Sequence, residues 1–424
     1  MRRARDYSLR LPNWRASFRP GRSIIGMIPK PMSSPIGAGE QLPVWKALGC
    51  GIGLTMPRLW IDVKKLEENA RYERELFARQ GVHVMGVNKV FSGQVETAQA
   101  VCRAGFDVIG ESRIESLRRL ADVPVKKCLM RSPAPSEVAE AIAVSDLSLG
   151  SETEIFRLLS KEAARVGKKH EVLLMVDMGD LREGIWFEDY DRIRETVREI
   201  RGLPSLEIYG IGANFNCFGA IKPTQENGDR FVAIARRVEA DLGFRFPYLS
   251  GGNCTSYHLF KKRLWPKGVN QLRIGGLHEF GINYVDFEYV EGFHHSKQDI
   301  SRVASDLFIL QAEVIEAGLK PSHPVGEPGL DAFLNPKVFI DRGIRRRVIL
   351  SVGRQDLPFE NLTPVDPGIQ ILGQSSDHTI VYVHDSVRSY RLGDWLEFEL
   401  DYTALLFACN SPGVKKTTDR ERQR

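Results

Sequence analysis

The sequence predicts an α/β fold, a TIM-like (β/α)8 barrel followed by a C-terminal all-β domain. Three observations carry this expectation. Between residues 80 and 275, eight short β-branched runs alternate with longer amphipathic stretches. Eight strands with helical crossovers fit a closed barrel better than an open sheet. After residue 300 the texture changes to apolar runs broken by turn signals, which reads as a separate β domain.

The first strand, Leu59–Ile61, precedes a helix over Val63–Arg79, with Asp62 placed to cap it. The eight barrel strands are read at Val82–Val87, Asp107–Gly110, Lys127–Arg131, Asp146–Leu149, Val172–Asp177, Glu207–Gly212, Pro247–Ser250 and Gln271–Ile274. Helical patterns cover Gln94–Ala104, Ser112–Leu120, Ser136–Val144, Glu152–Val166, Tyr190–Ile200 and Asp229–Leu242, with a short one over Thr255–Arg263. Ser112 with Glu115, and Ser151 with Glu154, have the spacing of capping boxes. In the second domain, strands are expected at Leu307–Ile315, Val338–Asp341, Arg347–Val352, Ile369–Gly373, Thr379–His384 and Trp395–Leu400. Pro367-Gly368 and Gly393-Asp394 mark turns. The resulting boundaries are 1–55 for a basic extension, 56–298 for the barrel, 299–416 for the β domain and 417–424 for a disordered tail.

A chain of 424 residues exceeds one ordinary core. The six cysteines stand singly, without a CxxC pair or a His/Cys cluster. This argues against a disulfide framework or a zinc site and suits a reducing, cytoplasmic setting. No apolar run approaches the roughly 20 residues of a membrane span. The net charge of +5 arises in residues 1–55, where nine Lys/Arg face only Asp6 and Glu40; the remaining chain is −2. Its charge therefore excludes a nucleic-acid binder. The basic extension, rich in Pro, Gly and Ser, reads as disordered. It is either a targeting peptide or, the favoured reading, sequence upstream of a start at Met56. The charged residues from Lys415 onward are expected to fray.

In such barrels chemistry gathers where the strands end. Asn88-Lys89-Val90 follows the first strand and Arg131 ends the third. Met178 to Gly184, including Arg182, follows the fifth, and Asn214-Phe215-Asn216-Cys217 the sixth. Ser250-Gly251-Gly252-Asn253-Cys254-Thr255-Ser256 follows the seventh, and Arg273 lies at the end of the eighth. A lysine at a strand end is more often one that reaches out to solvent. Flanked by Val87 and Val90, however, Lys89 is expected to be partly buried, and desolvation would lower its pKa and free a nucleophilic amine. The Gly-Gly turn allows close backbone approach and suits a phosphate. Together with Arg182 and Arg273, this set suggests a phosphorylated aldehyde cofactor and a carboxylate substrate.

With these residues in place, 57–416 resembles the fold-type III pyridoxal-phosphate enzymes, the alanine racemase class, and most closely its ornithine racemase branch. The motifs are Gly86-Val87-Asn88-Lys89-Val90-Phe91, Met175 to Gly184, Ser250-Gly251-Gly252-Asn253, Arg342-Gly343-Ile344-Arg345, Ser375-Ser376-Asp377-His378 and Tyr402…Val414-Lys415-Lys416. The resemblance implies that Lys89 carries pyridoxal 5'-phosphate and acts as one proton-transfer base. It implies a phosphate cradle of Ser250, Gly252, Asn253, Cys254, Thr255 and Ser256, with a contact from Tyr402. Arg182 matches a residue that contacts the cofactor phenolate and substrate carboxylate, and Asn214 stands where alanine racemases carry a ring-facing histidine. Arg273 matches the arginine facing the pyridine nitrogen, and Asp377 an acid beside the substrate carboxylate. A homodimer with shared sites is also implied.

Arg273 cannot accept a proton. Facing the ring nitrogen, it favours simple removal and return of an α-proton over reactions that need a long-lived carbanion. The expected activity is racemisation of a free amino acid, with ornithine or another basic amino acid first. Rivals are a decarboxylase or lyase on the same fold, a non-catalytic pyridoxal-phosphate carrier, and a metal-assisted barrel hydrolase. The second base departs from the pattern: Arg354 stands where the class supplies a tyrosine, leaving His378 and Cys217 as candidates by chemistry.

Overall fold

The computed structural model describes residues 56–418. The expectations for the basic extension, and for the tail beyond residue 418, lie outside the described residues.

The chain runs β1 (Arg58–Ile61), α1 (Val63–Ala78), β2 (His83–Val87), α2 (Val95–Arg103), β3 (Val108–Glu111), α3 (Ile114–Arg119), β4 (Lys126–Leu129), α4 (Val138–Val144), β5 (Leu147–Gly150), α5 (Thr153–Arg165) and β6 (His170–Asp177). It continues through β7 (Ile185–Trp186), α6 (Tyr190–Gly202), β8 (Leu206–Ala213), α7 (Gln225–Leu242), β9 (Tyr248–Gly251), α8 (Tyr257–Lys261), β10 (Gln271–Ile274), α9 (Gly276–Phe280) and the hairpin of β11 (Ile282–Asn283) and β12 (Glu288–Tyr289). The remaining elements are β13 (Ser305–Pro321), β14 (Ile344–Leu350), β15 (Leu362–Pro364), β16 (Gln370–Gln374), β17 (Thr379–Tyr382), β18 (Trp395–Leu400), α10 (Tyr402–Asn410) and β19 (Lys415–Thr417).

Strands β5-β4-β3-β2-β10-β9-β8-β6 pair in parallel, and β5 also pairs with β6, so the ring of eight closes. All eight expected barrel strands are present. Its interior is filled by Met85, Val108, Cys128, Leu149, Leu173 and Met175, among others, a packed core rather than a pore. Asp62 caps α1 by accepting the Lys65 N–H at 3.1 Å, as anticipated.

Several local expectations fail. Ser112 and Ser151 cap nothing: α3 and α5 have Arg113 and Glu152 as their N-caps, so each hydroxyl sits one residue too early to reach the first turn. Helix α7 starts a turn earlier than read, because Thr224 and Asn227 form a reciprocal capping box.

The second sheet has the order β15-β18-β13-β14-β17-β16, with β1 and β19 attached. β1 pairs antiparallel with β13, Leu59 opposite Leu310, and parallel with β19. The first strand thus belongs to this sheet and not to the barrel. The residues from Lys415 do not fray at once, since Lys415–Thr417 form that edge strand. Val338–Asp341 is not a strand: Val338 is 93% exposed and lacks a neighbouring strand to pair with, and β-branched residues form strands only where such a surface exists. The expected C-terminal β domain is present, and it carries one helix besides its strands. Tyr402–Asn410 is a helix, whose near-uniform apolar run Leu405-Leu406-Phe407-Ala408-Cys409 showed no helical stripe.

This sheet shares its core with the barrel end. Val90, Phe91 and Phe280 pack with Leu307, Phe308, Leu310, Phe398, Ala404 and Leu405 in one buried cluster. Each of the buried Val, Leu and Phe side chains among them contributes about 1.5–3 kcal/mol. The segment carrying Lys89 is therefore held by both layers.

Candidate active site

β2 is buried along most of its length and ends at Val87. Asn88 leads into a single 3-10 turn, Lys89–Phe91, which Ser92 closes in the left-handed region by donating its N–H to the Lys89 carbonyl. Val90 and Phe91 anchor the turn, the Phe91 ring lying 5.6 Å from that of Phe308. Three hydrogen bonds brace it. Glu111 accepts from Asn88 Nδ2 at 2.9 Å and from the Gly93 N–H at 3.1 Å. Ser92 Oγ donates to Asn410 Oδ1 at 3.0 Å. Anchored on both sides, Lys89 is half-buried at the C-terminal end of the barrel.

Lys89 Nζ lies 5.9 Å from the centre of the Tyr402 ring. Tyr402 is the first residue of α10, whose N-cap Asp401 accepts the Ala404 N–H at 2.9 Å. Burial alone would lower the lysine's pKa, as the sequence suggested. Tyr402, Cys217 and Glu279 outweigh it, and the net shift is upward. The expectation of a depressed amine is therefore corrected: in this structure Lys89 is held as the ammonium. Burial likewise raises the Tyr402 phenol, against the pull of Lys89.

Arg273 on β10 is 3% exposed. It donates to Ser250 Oγ and, at 2.7 Å, to the Ala213 carbonyl. Burial lowers its pKa. The turn after β9 is shaped by Asn253, whose Oδ1 accepts from the Thr255 N–H and hydroxyl, both at 2.8 Å. Its Nδ2 donates to Asn214 Oδ1 at 3.1 Å and to the Phe215 carbonyl at 2.8 Å. Ser256 Oγ bonds to the Gly251 carbonyl. Burial pushes the Cys254 thiol up to about 12.

The loop after β6 is built on Asp177, which accepts the Gly179 and Leu181 N–H groups. Buried Asp180 accepts from the Phe218 and Gly219 N–H groups and so ties this loop to the one after β8. Arg182 pairs with its neighbour Glu183, one bond being 2.5 Å. Electrostatic interactions link Arg182, Glu183, Cys217 and Arg273. The structure thus gathers Lys89, Arg182, Asn214, Cys217, the 250–256 turn, Arg273 and Tyr402 around one barrel mouth.

It does not bring Asp377 and His378 there within one chain. They form the tip between β16 and β17, where His378 Nδ1 lies 2.9 Å from Asp377 Oδ1, with side chains 41% and 61% exposed. Backbone bonds hold the tip to Arg354 and Gln355. Arg131, read as a strand-end candidate, is taken up by a fork of two 2.7 Å bonds to Glu137.

Three groups escaped the sequence reading. Glu279 on α9 is 1% exposed; burial pushes it up to about 7 despite attraction from His278 and Lys89. Glu111 is fully buried and is pushed up to about 8, again by burial. Tyr284 lies against Gly276 and interacts with Cys254, Glu279 and Tyr402, and burial raises its phenol well above its usual value. The available signal was an acid inside an apolar segment, as in Leu277-His278-Glu279-Phe280, a place where a carboxylate is costly unless partnered.

The residues present fit a phosphorylated aromatic aldehyde. Asn214 is 8% exposed, yet its Nδ2 has no partner, a free donor at the mouth. Gly252 has φ +121, and a Cβ there would come within 2.7 Å of Ser256 Oγ, so the turn keeps its shape only with glycine. Lys89, Tyr402 and Tyr284 supply the amine and hydroxyls around it.

The family of the alanine racemase N-terminal domain matches residues 61–278. The ornithine racemase of Acetoanaerobium sticklandii is 37% identical over 360 residues, which is 85% of this chain and 99% of that protein. The lysine racemase of Thermotoga maritima is 35% identical over 365 residues, covering 86% and 98%. Among solved structures, the alanine racemase of Streptomyces coelicolor superposes with TM-score 0.63 at 17% identity, covering 86% of this chain and 99% of that one. The alanine racemase of Bartonella henselae, solved with covalently bound pyridoxal phosphate, gives 0.62 at 17% identity, covering 85% and 99%. At that identity the superpositions establish the fold, a closed parallel barrel with a C-terminal sheet domain. The matched domain and the two relatives aligned over nearly their whole length show that this chain belongs to the alanine racemase family.

Proposed function

We propose that this protein is a pyridoxal-phosphate-dependent racemase that inverts Cα of a free basic amino acid such as ornithine or lysine. The observation that supports it most is the convergence of Lys89, Tyr402, Arg273 and the 250–256 turn on one barrel mouth. The substrate class follows the two relatives, one named for ornithine and one for lysine.

In this reading Lys89 would hold the cofactor covalently, Tyr402 and the 252–256 turn would take its phosphate, and Asn214 would offer it the Nδ2 donor. The bound cofactor supplies an electron sink that acidifies the α-proton. Lys89 moves that proton on one face of Cα. Arg182 binds the substrate carboxylate through a charge-assisted pair. Arg273 can donate but cannot take up a proton, and its bonds to Ser250 and Ala213 fix its guanidinium rigidly. This favours racemisation over decarboxylation. Asp377 and His378, remote from Lys89 in their own chain, act in this reading at the mouth of a second subunit in a homodimer. The five described cysteines are all free, which suits a cytoplasmic setting. Among the described residues, no helix is long and apolar enough to cross a membrane.

The test is chiral analysis of L- and D-ornithine and lysine after incubation with cofactor-loaded protein. Borohydride trapping and peptide mapping would run in parallel. The expected result is a racemic mixture from either enantiomer, with the label on Lys89. Inversion of neither enantiomer despite label on Lys89 would favour the carrier reading, and release of CO2 a decarboxylase.

A further inference from the structure

We propose that Cys217 is the second proton-transfer group of this site, acting on the face of the substrate opposite Lys89. The proposal rests on the racemase reading. Inversion requires a proton to leave one face of Cα and another to arrive on the other, so two groups must flank the carbon. Lys89 follows β2 and Cys217 follows β8. Around the ring these strands are separated by β10 and β9 on one side and by β3, β4, β5 and β6 on the other. Lys89 and Cys217 thus follow strands three apart in the ring of eight and enter the mouth from different sectors of it.

The thiol is placed for this. Cys217 is exposed, whereas Cys128 and Cys409 are buried and Cys102 and Cys254 are partly so. Its Sγ accepts from Asn253 Nδ2 at 3.4 Å, in the turn whose Cys254 interacts electrostatically with Lys89. It interacts electrostatically with Lys89, Arg182 and Arg273. A second observation marks the same place as a ligand position. Asn214 Oδ1 accepts from that same Asn253 amide, and the Asn214 Nδ2, on a residue 8% exposed, is left without a partner. A buried donor without an acceptor is costly, and a ligand between Asn214, Cys217 and Lys89 would supply one.

His378 is the competing base. Its Nδ1 is engaged by Asp377 at 2.9 Å and faces Ser375 at 3.4 Å, on a tip away from the mouth of its own chain. Cys217 needs no second subunit to reach the site.

The protons balance. In one direction the Cys217 thiolate accepts the α-proton and becomes the thiol, while the Lys89 ammonium gives a proton to the opposite face and becomes the amine. The reverse direction exchanges these roles. Solvent exchange at sulfur and nitrogen restores the starting forms, and no further reagent is consumed.

The experiment uses the cofactor-loaded protein in D2O, with L- and D-ornithine and lysine as probes, and follows both racemisation and deuterium entry at Cα. For Cys217→Ser and Cys217→Ala, racemisation should fall about 100- to 10,000-fold. Exchange should persist for the enantiomer whose proton faces Lys89 and vanish for the other. Alkylating wild-type Cys217 with iodoacetamide, located by mass spectrometry, should give the same one-sided exchange without any substitution. Racemisation within about threefold of wild type, or exchange of both enantiomers, overturns the proposal. So does one-sided exchange in His378→Gln but not in Cys217→Ala. If wild type carries the cofactor on Lys89 but inverts neither amino acid, the racemase reading itself falls, a result distinct from an unaffected Cys217 variant.

Discussion

Glu111 accepts a hydrogen bond from Asn88 at 2.9 Å, one residue before Lys89, and a second from the Gly93 N–H just beyond the turn. A buried carboxyl thus clamps both ends of the segment that carries Lys89. Burial pushes it up to about 8 from an ordinary 4.5, partly offset by the bonds from Asn88 and the Gly93 backbone. The folded protein therefore keeps a proton that the unfolded chain releases near 4.5. Between those values the native state binds more protons, so stability is greatest below the lower value and falls as pH rises through the upper one. In Glu111→Gln the amide oxygen still accepts from Asn88, and the titration is gone. Denaturation midpoints measured across that window should fall less steeply with pH than in wild type. A residual slope should remain from Glu279, raised to about 7. Identical slopes would mean that Glu111 is ionised in the fold.

Tyr402 faces Lys89 and opens α10, so its hydroxyl serves the amine and, in the proposed function, the cofactor phosphate. Tyr402→Phe keeps the ring against Phe280, 6.4 Å away, and removes only the hydroxyl. A hydrogen bond to a charged group is worth about 1.5–3 kcal/mol, so cofactor affinity should weaken about 10- to 100-fold. Fluorescence titration of the cofactor-free protein measures this. Thermal stability without cofactor should fall modestly as well, because the hydroxyl also bonds to the Lys89 ammonium while the ring packing is kept. Unaltered affinity would remove Tyr402 from the phosphate site.

The barrel was legible because each parallel strand, covered on both faces, reads as a short apolar run. What lay beyond single-segment reading was long-range pairing. Nothing local in Arg58–Ile61 says that it pairs with β13, some 250 residues away, and Val338–Asp341 has strand composition without a neighbour to pair with. Lys89, Arg182 and Arg273 were visible as polar residues at strand ends, and Tyr402 only through the family resemblance. Glu111 and Glu279 were not, since a buried acid among apolar residues shows its meaning only when its partners are known. The capping residues Ser112 and Ser151 misled because a one-residue shift in helix start leaves the hydroxyl out of reach.

Arg182 separates binding from folding. Its guanidinium is 39% exposed and pairs with adjacent Glu183, and such an exposed pair adds only about 0–1 kcal/mol. Arg182→Ala should leave the denaturation midpoint within about 0.5 kcal/mol of wild type. Losing a charge-assisted bond to the substrate carboxylate should raise KM about 10- to 100-fold. Steady-state kinetics with either enantiomer reads this directly. A large fall in stability with unchanged KM would assign Arg182 to the scaffold.

Gly252 joins β9 to the turn that holds Asn253, and it has φ +121. An alanine there meets two obstacles. The backbone lies where L side chains are strained, and the new Cβ would sit 2.7 Å from Ser256 Oγ and 3.3 Å from the Phe215 ring. Ser256 could rotate away only by giving up its bond to the Gly251 carbonyl. Strain of this kind costs about 1–3 kcal/mol, and the displaced turn would carry Asn253 away from Asn214 and Cys217. Gly252→Ala should therefore lower stability by that amount in urea denaturation and weaken cofactor binding more than Tyr402→Phe does. Ser256→Ala, which clears the hydroxyl from the path, should recover part of the stability in the double variant. If the double variant is no more stable than Gly252→Ala alone, the clash with Ser256 is not what makes glycine necessary here.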